Sequence, residues 1–251
     1  MASMSGLLRR LLAELVPVAV AVLLVLASQT VLAQPFYVPS GSMEPTIQIG
    51  DELLASKFAY GYSRYSLPVD PGAGVTGRLL GRLPARGDVV VFHLPRDPQQ
   101  VYVKRVIGLP GDRIRMSDGR LWINGTQLPL RADGAAGVEL GNGQTVAGHR
   151  FIETLPGGRE HPILKLAGSP LDEMAEVVVP ADCLFMMGDN RDNSLDSRVS
   201  ATEGGVGFVP MDNLVGRADV VLGSWDFLNA DRNPVGWLSL LRIGRFFSRI
   251  G

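Results

Sequence analysis

From Leu11 to Ala33 the chain carries 18 hydrophobic residues in 23, and Glu14 is the single charge among them. At 1.5 Å per helical residue, Leu11 to Leu32 spans about 33 Å, enough to cross the hydrocarbon core of a bilayer. Arg9 and Arg10 precede this run. The positive-inside rule therefore predicts a cytoplasmic N-terminus over 1–10, a transmembrane helix over 11–33, and export of the rest, with Phe36 and Tyr37 as aromatic anchors at the far interface. A cleavable secretory signal is the competing reading, because Val31-Leu32-Ala33 has the small-residue pattern of a cleavage site. The apolar run exceeds the ~7–15 residues usual in such signals, which favours a retained anchor.

The chain is balanced in charge: 24 Lys and Arg face 25 Asp and Glu, for a net −1. With no basic cluster, nucleic acid is excluded as the main partner. The single Cys183 excludes an internal disulfide framework, a CxxC redox site and a multi-cysteine zinc site. His93, His149 and His161 stand outside any metal-binding spacing. Asp189, Asp192 and Asp196 resemble a calcium loop only loosely, since Arg191 occupies a ligand position and the central glycine is missing. Neither a metal nor a cofactor is expected. Gly72 to Gly77 matches GxGxxG, but it follows Asp70-Pro71 rather than a strand.

Short apolar runs separated by Gly or Pro predict a mostly β fold, with strands within 51–58, 88–92, 101–107 and 218–224. Asp118-Gly119 and Asn124-Gly125 predict two tight hairpin turns, which explain Asn124 more cheaply than a glycosylation site does. Residues 62–86 and 131–149, rich in Gly, Pro and polar residues, read as long loops. The stretch from Pro234 to Ile250 is basic and amphipathic, and reads as a helix that either packs on the domain or lies on a membrane surface.

Three segments are over-specified for folding alone. In Pro39-Ser40-Gly41-Ser42-Met43-Glu44-Pro45-Thr46, an extended backbone points Ser40 and Ser42 to one side, offering two hydroxyls to one carbonyl. In the strand 101–107, Lys104 shares a face with Tyr102 and Val106. A lysine among apolar neighbours has its pKa driven toward neutrality, as a general base requires. The third, Gly188 to Arg198, holds nine polar or charged residues in eleven. There Ser194 can donate or accept, and Asp196 can pair with Arg198.

In this order, after an apolar anchor, these segments resemble bacterial type I signal peptidase (leader peptidase), a Ser-Lys serine endopeptidase family. The motifs that carry the resemblance are Ser-Gly-Ser-Met-Glu-Pro-Thr, Gly50-Asp51 leading to Lys57-Phe-Ala-Tyr-Gly61, Arg86-Gly-Asp-Val-Val-Val-Phe92, Lys-Arg-Val-Ile-Gly-Leu-Pro-Gly-Asp, Gly-Asp-Asn-Arg-Asp-Asn-Ser-x-Asp-Ser-Arg and Gly207-Phe-Val-Pro210. The resemblance implies Ser42 as nucleophile and Lys104 as general base. It also implies an oxyanion hole from Ser40 Oγ and the Ser42 backbone N–H, with Ser194, Asp196 and Arg198 supporting. The implied fold is a β catalytic core over 36–112 and 183–235, an inserted β subdomain over 113–182, and a C-terminal amphipathic segment over 236–251. Implied partners are preproteins carrying signal peptides with small residues at −1 and −3, the lipid bilayer, and a neighbouring secretion translocon. The implied location is the inner (cytoplasmic) membrane, with a single span and the catalytic domain outside the cytoplasm.

One departure from the family's best-known Gram-negative member is a single apolar span before the serine instead of two. A peptidase dedicated to one pilus or secretion substrate is the alternative enzyme; intact Ser42 and Lys104 argue against a non-catalytic binding module. Ser42 follows Ala33 by nine residues, so it lies at most about 30 Å from the end of the apolar segment. So short a link hardly lets Ala33 fold back onto Ser42 of its own chain.

Overall fold

The computed structural model describes residues 12–22, 25, 32–67, 72, 74–139, 144–166, 168–226 and 240–251. The expected cytoplasmic N-terminus, the later part of the apolar span and residues 227–239 lie outside them. The described residues are mostly β. Among the described residues the first seven strands are β1 (Ala33–Tyr37), β2 (Asp51–Ser56), β3 (Val89–Leu94), β4 (Asp97–Gly108), β5 (Arg113–Ser117), β6 (Arg120–Ile123) and β7 (Thr126–Gln127). Seven more follow: β8 (Leu130–Glu139), β9 (Thr145–Thr154), β10 (Glu160–Lys165), β11 (Met174–Val178), β12 (Cys183–Met187), β13 (Val209–Pro210) and β14 (Leu214–Ser224).

The principal sheet is antiparallel, in the order β1-β2-β14-β3-β4-β12-β13. Apolar residues on both faces of its inner strands bury both sides. Leu53, Val91, Val215 and Val221 pack with Val38, Met43 and Ile47 on one side, and Phe92, Val106, Leu184, Met186 and Leu214 pack together on the other. Between β4 and β12 the chain builds two smaller sheets, β11-β5-β6-β7 and β10-β9-β8. A third apolar cluster, with Ile107, Phe185 and Met187 against Ile114, Met116, Ile123 and Leu155, joins these strands to the principal sheet. Both hairpin turns form where expected: Asp118 and Gly119 have φ of 51° and 66°, Asn124 and Gly125 of 53° and 79°. Two consecutive positive φ values match the twist of the flanking strands.

Three expectations are corrected. The segment 131–149 is not a loop but most of the β8–β9 hairpin, paired from Leu130↔Glu153 to Glu139↔Thr145. Its glycines permit close approach: a Cβ on Gly148 would lie 2.6 Å from Val138 Cγ2 and 2.9 Å from Lys165 O. The described part of the C-terminal segment, 240–251, is not an α-helix. It runs along the principal sheet through the bridges Trp225↔Leu241 and Val220↔Arg249, with a 3-10 turn at Ile243–Arg245. Two of its basic residues are committed to the protein: Arg245 pairs with buried Asp51 and Arg242 donates to Ile49 O at 2.8 Å. At the other end, Ala33 belongs to strand β1, opposite Ser56, rather than to a helix. Phe36, partly buried, packs against the core cluster. Residues 12–22 are helical, and among the described residues no helix is long and apolar enough to cross a membrane.

Candidate active site

The segment between Pro39 and Pro45 is not extended throughout. Ser40 has extended geometry at φ −136° and ψ 150°, and Gly41–Met43 then form a 3-10 turn, with Gly41 and Met43 buried. The turn, rather than strand alternation, brings the two hydroxyls together, with Ser40 Oγ 3.4 Å from Ser42 Oγ.

Lys104 comes from β4, whose alternation sends Val103 to one apolar cluster and Tyr102 and Val106 to the other. Its Nζ donates to Ser42 Oγ at 2.6 Å and to Val103 O at 3.1 Å, and lies 5.5 Å from the centre of the Tyr102 ring. The lysine is 3% exposed. Burial drives its pKa down to about 8; Asp196 and Asp189 oppose the shift, and Arg198 adds to it.

The polar loop 188–198 lies against the serine turn. Asn190 donates its backbone N–H to Ser42 O at 3.2 Å and its side-chain Nδ2 to Gly41 O at 3.1 Å. Only glycine fits at 188, because a Cβ there would stand 2.4 Å from Ser42 O and 2.3 Å from Ser194 Oγ. Asp196 accepts from the backbone N–H groups of Gly188 at 3.0 Å and Arg198 at 3.1 Å, and from Arg198 Nε at 2.9 Å. Burial would raise the Asp196 carboxyl, but these donors outweigh it and hold it below the usual carboxylate range. Ser194 differs from expectation. Among the described residues its buried hydroxyl has no hydrogen-bond partner, while the Lys104 ammonium is held by Ser42 and Val103.

Ser40, Ser42, Lys104 and Ser194 share the wall of a groove of about 540 Å³. The sheet curls so that Phe36, Leu53, Val91 and Val103, each from a different strand, also line it. Pairing of β4 with β12 begins only at Arg105, so the preceding residues of β4 form an edge beside the groove.

A family model, "Signal peptidase, peptidase S26", matches residues 11–225. The chain belongs to this family. Signal peptidase I of Rickettsia typhi is 36% identical over 242 residues, covering 90% of this chain and 88% of its own. Signal peptidase I of Pseudomonas fluorescens is 42% identical over 209 residues, covering 80% and 69%. A crystal structure of a signal peptidase I from Enterococcus faecalis aligns with 54% of this chain and 97% of its own, at 25% identity and a TM-score of 0.32. The stretch matched by the signal peptidase family contains the apolar segment, the serine turn, the Lys104 strand and the 188–198 loop; the C-terminal strap falls outside it.

Sequence reasoning missed two buried ion pairs beneath this candidate site. Arg105 Nε donates to Asp189 Oδ1 at 2.8 Å and its Nη2 to Oδ2 at 2.7 Å, with both side chains essentially inaccessible. Arg191 pairs with Glu153 of β9. The signal for the first was present: period-two alternation puts Arg105 on a face with Val103 and Ile107, where a guanidinium needs a carboxylate. Which carboxylate answers it depends on the tertiary fold.

Proposed function

We propose that this chain acts as a membrane-anchored signal peptidase with Ser42 as nucleophile and Lys104 as general base. The activity is that of its family: a serine endopeptidase that removes signal peptides from preproteins. The observation that carries the site assignment is the 2.6 Å hydrogen bond between Lys104 Nζ and Ser42 Oγ at the wall of the groove. Neutral Lys104 takes the Ser42 proton as Oγ attacks the carbonyl carbon of the residue at −1. Ser40 Oγ and the Ser42 backbone N–H donate to the oxyanion that forms. The Lys104 ammonium returns the proton to the leaving amine, and a water that Lys104 deprotonates then hydrolyses the acyl-enzyme. The apolar groove receives the extended substrate along the edge of β4, with small residues at −1 and −3.

The sign of the pH dependence follows. Only the uncharged amine accepts the proton, so kcat/KM rises as pH passes upward through about 8, the pKa of buried Lys104. A pH–rate profile on a peptide substrate checks this. A limb in the histidine range that disappears with His93→Ala would overturn the assignment; His93 Nδ1 is instead bonded to Pro98 O at 2.6 Å, and its ring stacks on Tyr65.

Membrane anchoring rests on the apolar segment. Every residue of the helix 12–22 is exposed, with Leu15 and Val18 each at 60%, as suits a helix surrounded by hydrocarbon rather than protein. At the foot of the segment Leu32 O accepts from Lys57 N at 3.0 Å. Phe58, next to Lys57, stands exposed, as do Leu79 and Leu80, with Leu79 bridged to Tyr62. We place these exposed apolar residues on the extracytoplasmic bilayer surface and residues 1–10 in the cytoplasm. A substrate still held by its own signal helix then meets Ser42 in the same layer, which raises its effective concentration. Pairing of Ala33 with Ser56 keeps the Ala33–Gln34 bond within a sheet, so the anchor stays attached. Mass spectrometry of membrane-extracted protein is expected to give the mass of the uncut chain; a species beginning at Gln34 would contradict retention.

A further inference from the structure

The β8-β9-β10 sheet reaches the serine turn through three residues of the polar loop. Glu153 of β9 and His161 of β10 are cross-strand partners, and the Glu153 carboxylate takes both Nη groups of Arg191, one at 2.8 Å to Oε1 and one to Oε2. All three side chains are buried. His161 Nε2 lies 3.5 Å from Glu153 Oε2, but burial lowers the imidazole pKa to about 4, so at neutral pH it carries no charge and leaves the carboxylate to Arg191. Backbone contacts run in parallel with this clasp. Leu164 of β10 donates to Asp189 O at 2.9 Å and accepts from Arg191 N at 2.9 Å. Asn190, between them, faces the other way and holds the carbonyls of both Gly41 and Ser42. Its neighbour Asp189 grips Arg105, which adjoins Lys104.

A buried ion pair is weak evidence for stability, since apolar residues of similar volume often serve as well. We propose that Glu153 and Arg191 are positioning residues for the peptidase reaction: their clasp holds Asn190 in the register that sets Ser42 against Lys104, making the inserted β8-β9-β10 sheet part of the catalytic apparatus. This rests on the assignment of Ser42 and Lys104. Neither Glu153 nor Arg191 lines the groove, so the clasp acts on the chemical step rather than on substrate binding.

The test uses purified full-length protein and a preprotein substrate, with steady-state kinetics and thermal unfolding measured on the same samples. Glu153→Gln keeps the side-chain shape but removes the charge. The pair Glu153→Met with Arg191→Met replaces the clasp with apolar volume, so that no lone buried charge obscures the result. Both are expected to lower kcat by about 10–100-fold with KM unchanged, because small misplacements of a nucleophile have effects of that size. The Met pair is expected to unfold near the wild-type temperature, separating position from stability. Wild-type kcat in either folded variant, or a change confined to KM, would overturn the proposal; if the Met pair fails to fold, Glu153→Gln decides by the same split. Wild-type protein and Ser42→Ala run alongside. A wild type that cleaves nothing, or a Ser42→Ala that still cleaves, refutes the site assignment itself and is thus distinguishable from failure of the clasp.

Discussion

Ser42→Ala is expected to abolish preprotein cleavage, with a loss of at least about 10⁴-fold, because among the described residues Ser42 carries the hydroxyl that is hydrogen-bonded to Lys104. Lys104→Met should do the same. It keeps most of the buried stem volume and removes only the amine that reaches Ser42 Oγ at 2.6 Å. Because the two groups act as a unit, the double variant should be no worse than either single one. Both single variants should stay folded. Ser42 lies at the groove, and the methionine removes a polar group from a position that is 3% exposed. The measurement is cleavage of a purified preprotein alongside thermal unfolding. Substantial cleavage by either folded variant would remove that residue from the chemistry.

Gly188→Ala is expected to have the next largest effect. Its Cβ would be driven to 2.4 Å from Ser42 O, a backbone atom already held by Asn190, and to 2.3 Å from Ser194 Oγ. The serine hydroxyl of residue 194 can rotate away, but the carbonyl of residue 42 can move only if the serine turn moves with it. The added methyl should cost ~1–3 kcal/mol of stability through overpacking and lower kcat about 100-fold. Adding Ser194→Ala to this variant removes the hydroxyl contact but leaves Ser42 O and, at 2.6 Å, the Cβ of residue 194, so activity should not return. Restoration of activity by that second change would show that Ser194, not the serine turn, bears the strain.

The parts of the fold legible in the sequence were those governed by local rules. Alternation along 101–107 placed Lys104 with Tyr102 and Val106, and Asn-Gly and Asp-Gly located the two tight turns. The β8–β9 hairpin escaped because its strands are rich in Ala, Gly and charge. They gain stability from pairing and from close packing at Gly148 rather than from a buried apolar stripe. The C-terminal strap was mistaken for a helix because its basic and apolar residues are spaced like an amphipathic surface, whereas Arg242 and Arg245 spend their charge on Ile49 O and Asp51. At the site, sequence order marked Ser42, Lys104 and the 188–198 loop. The contacts that hold them, Arg105 with Asp189 and Arg191 with Glu153, join residues 84 and 38 positions apart and depend on tertiary folding.

The central claim, that a Ser-Lys centre here removes signal peptides, is tested most directly by incubating the purified protein with several preproteins and mapping the new N-termini by mass spectrometry. One cut is expected in each, following small residues at −1 and −3 at the end of the apolar signal segment, and none with Ser42→Ala. Cuts scattered through the mature sequences, or the same cuts made by Ser42→Ala, would contradict the claim.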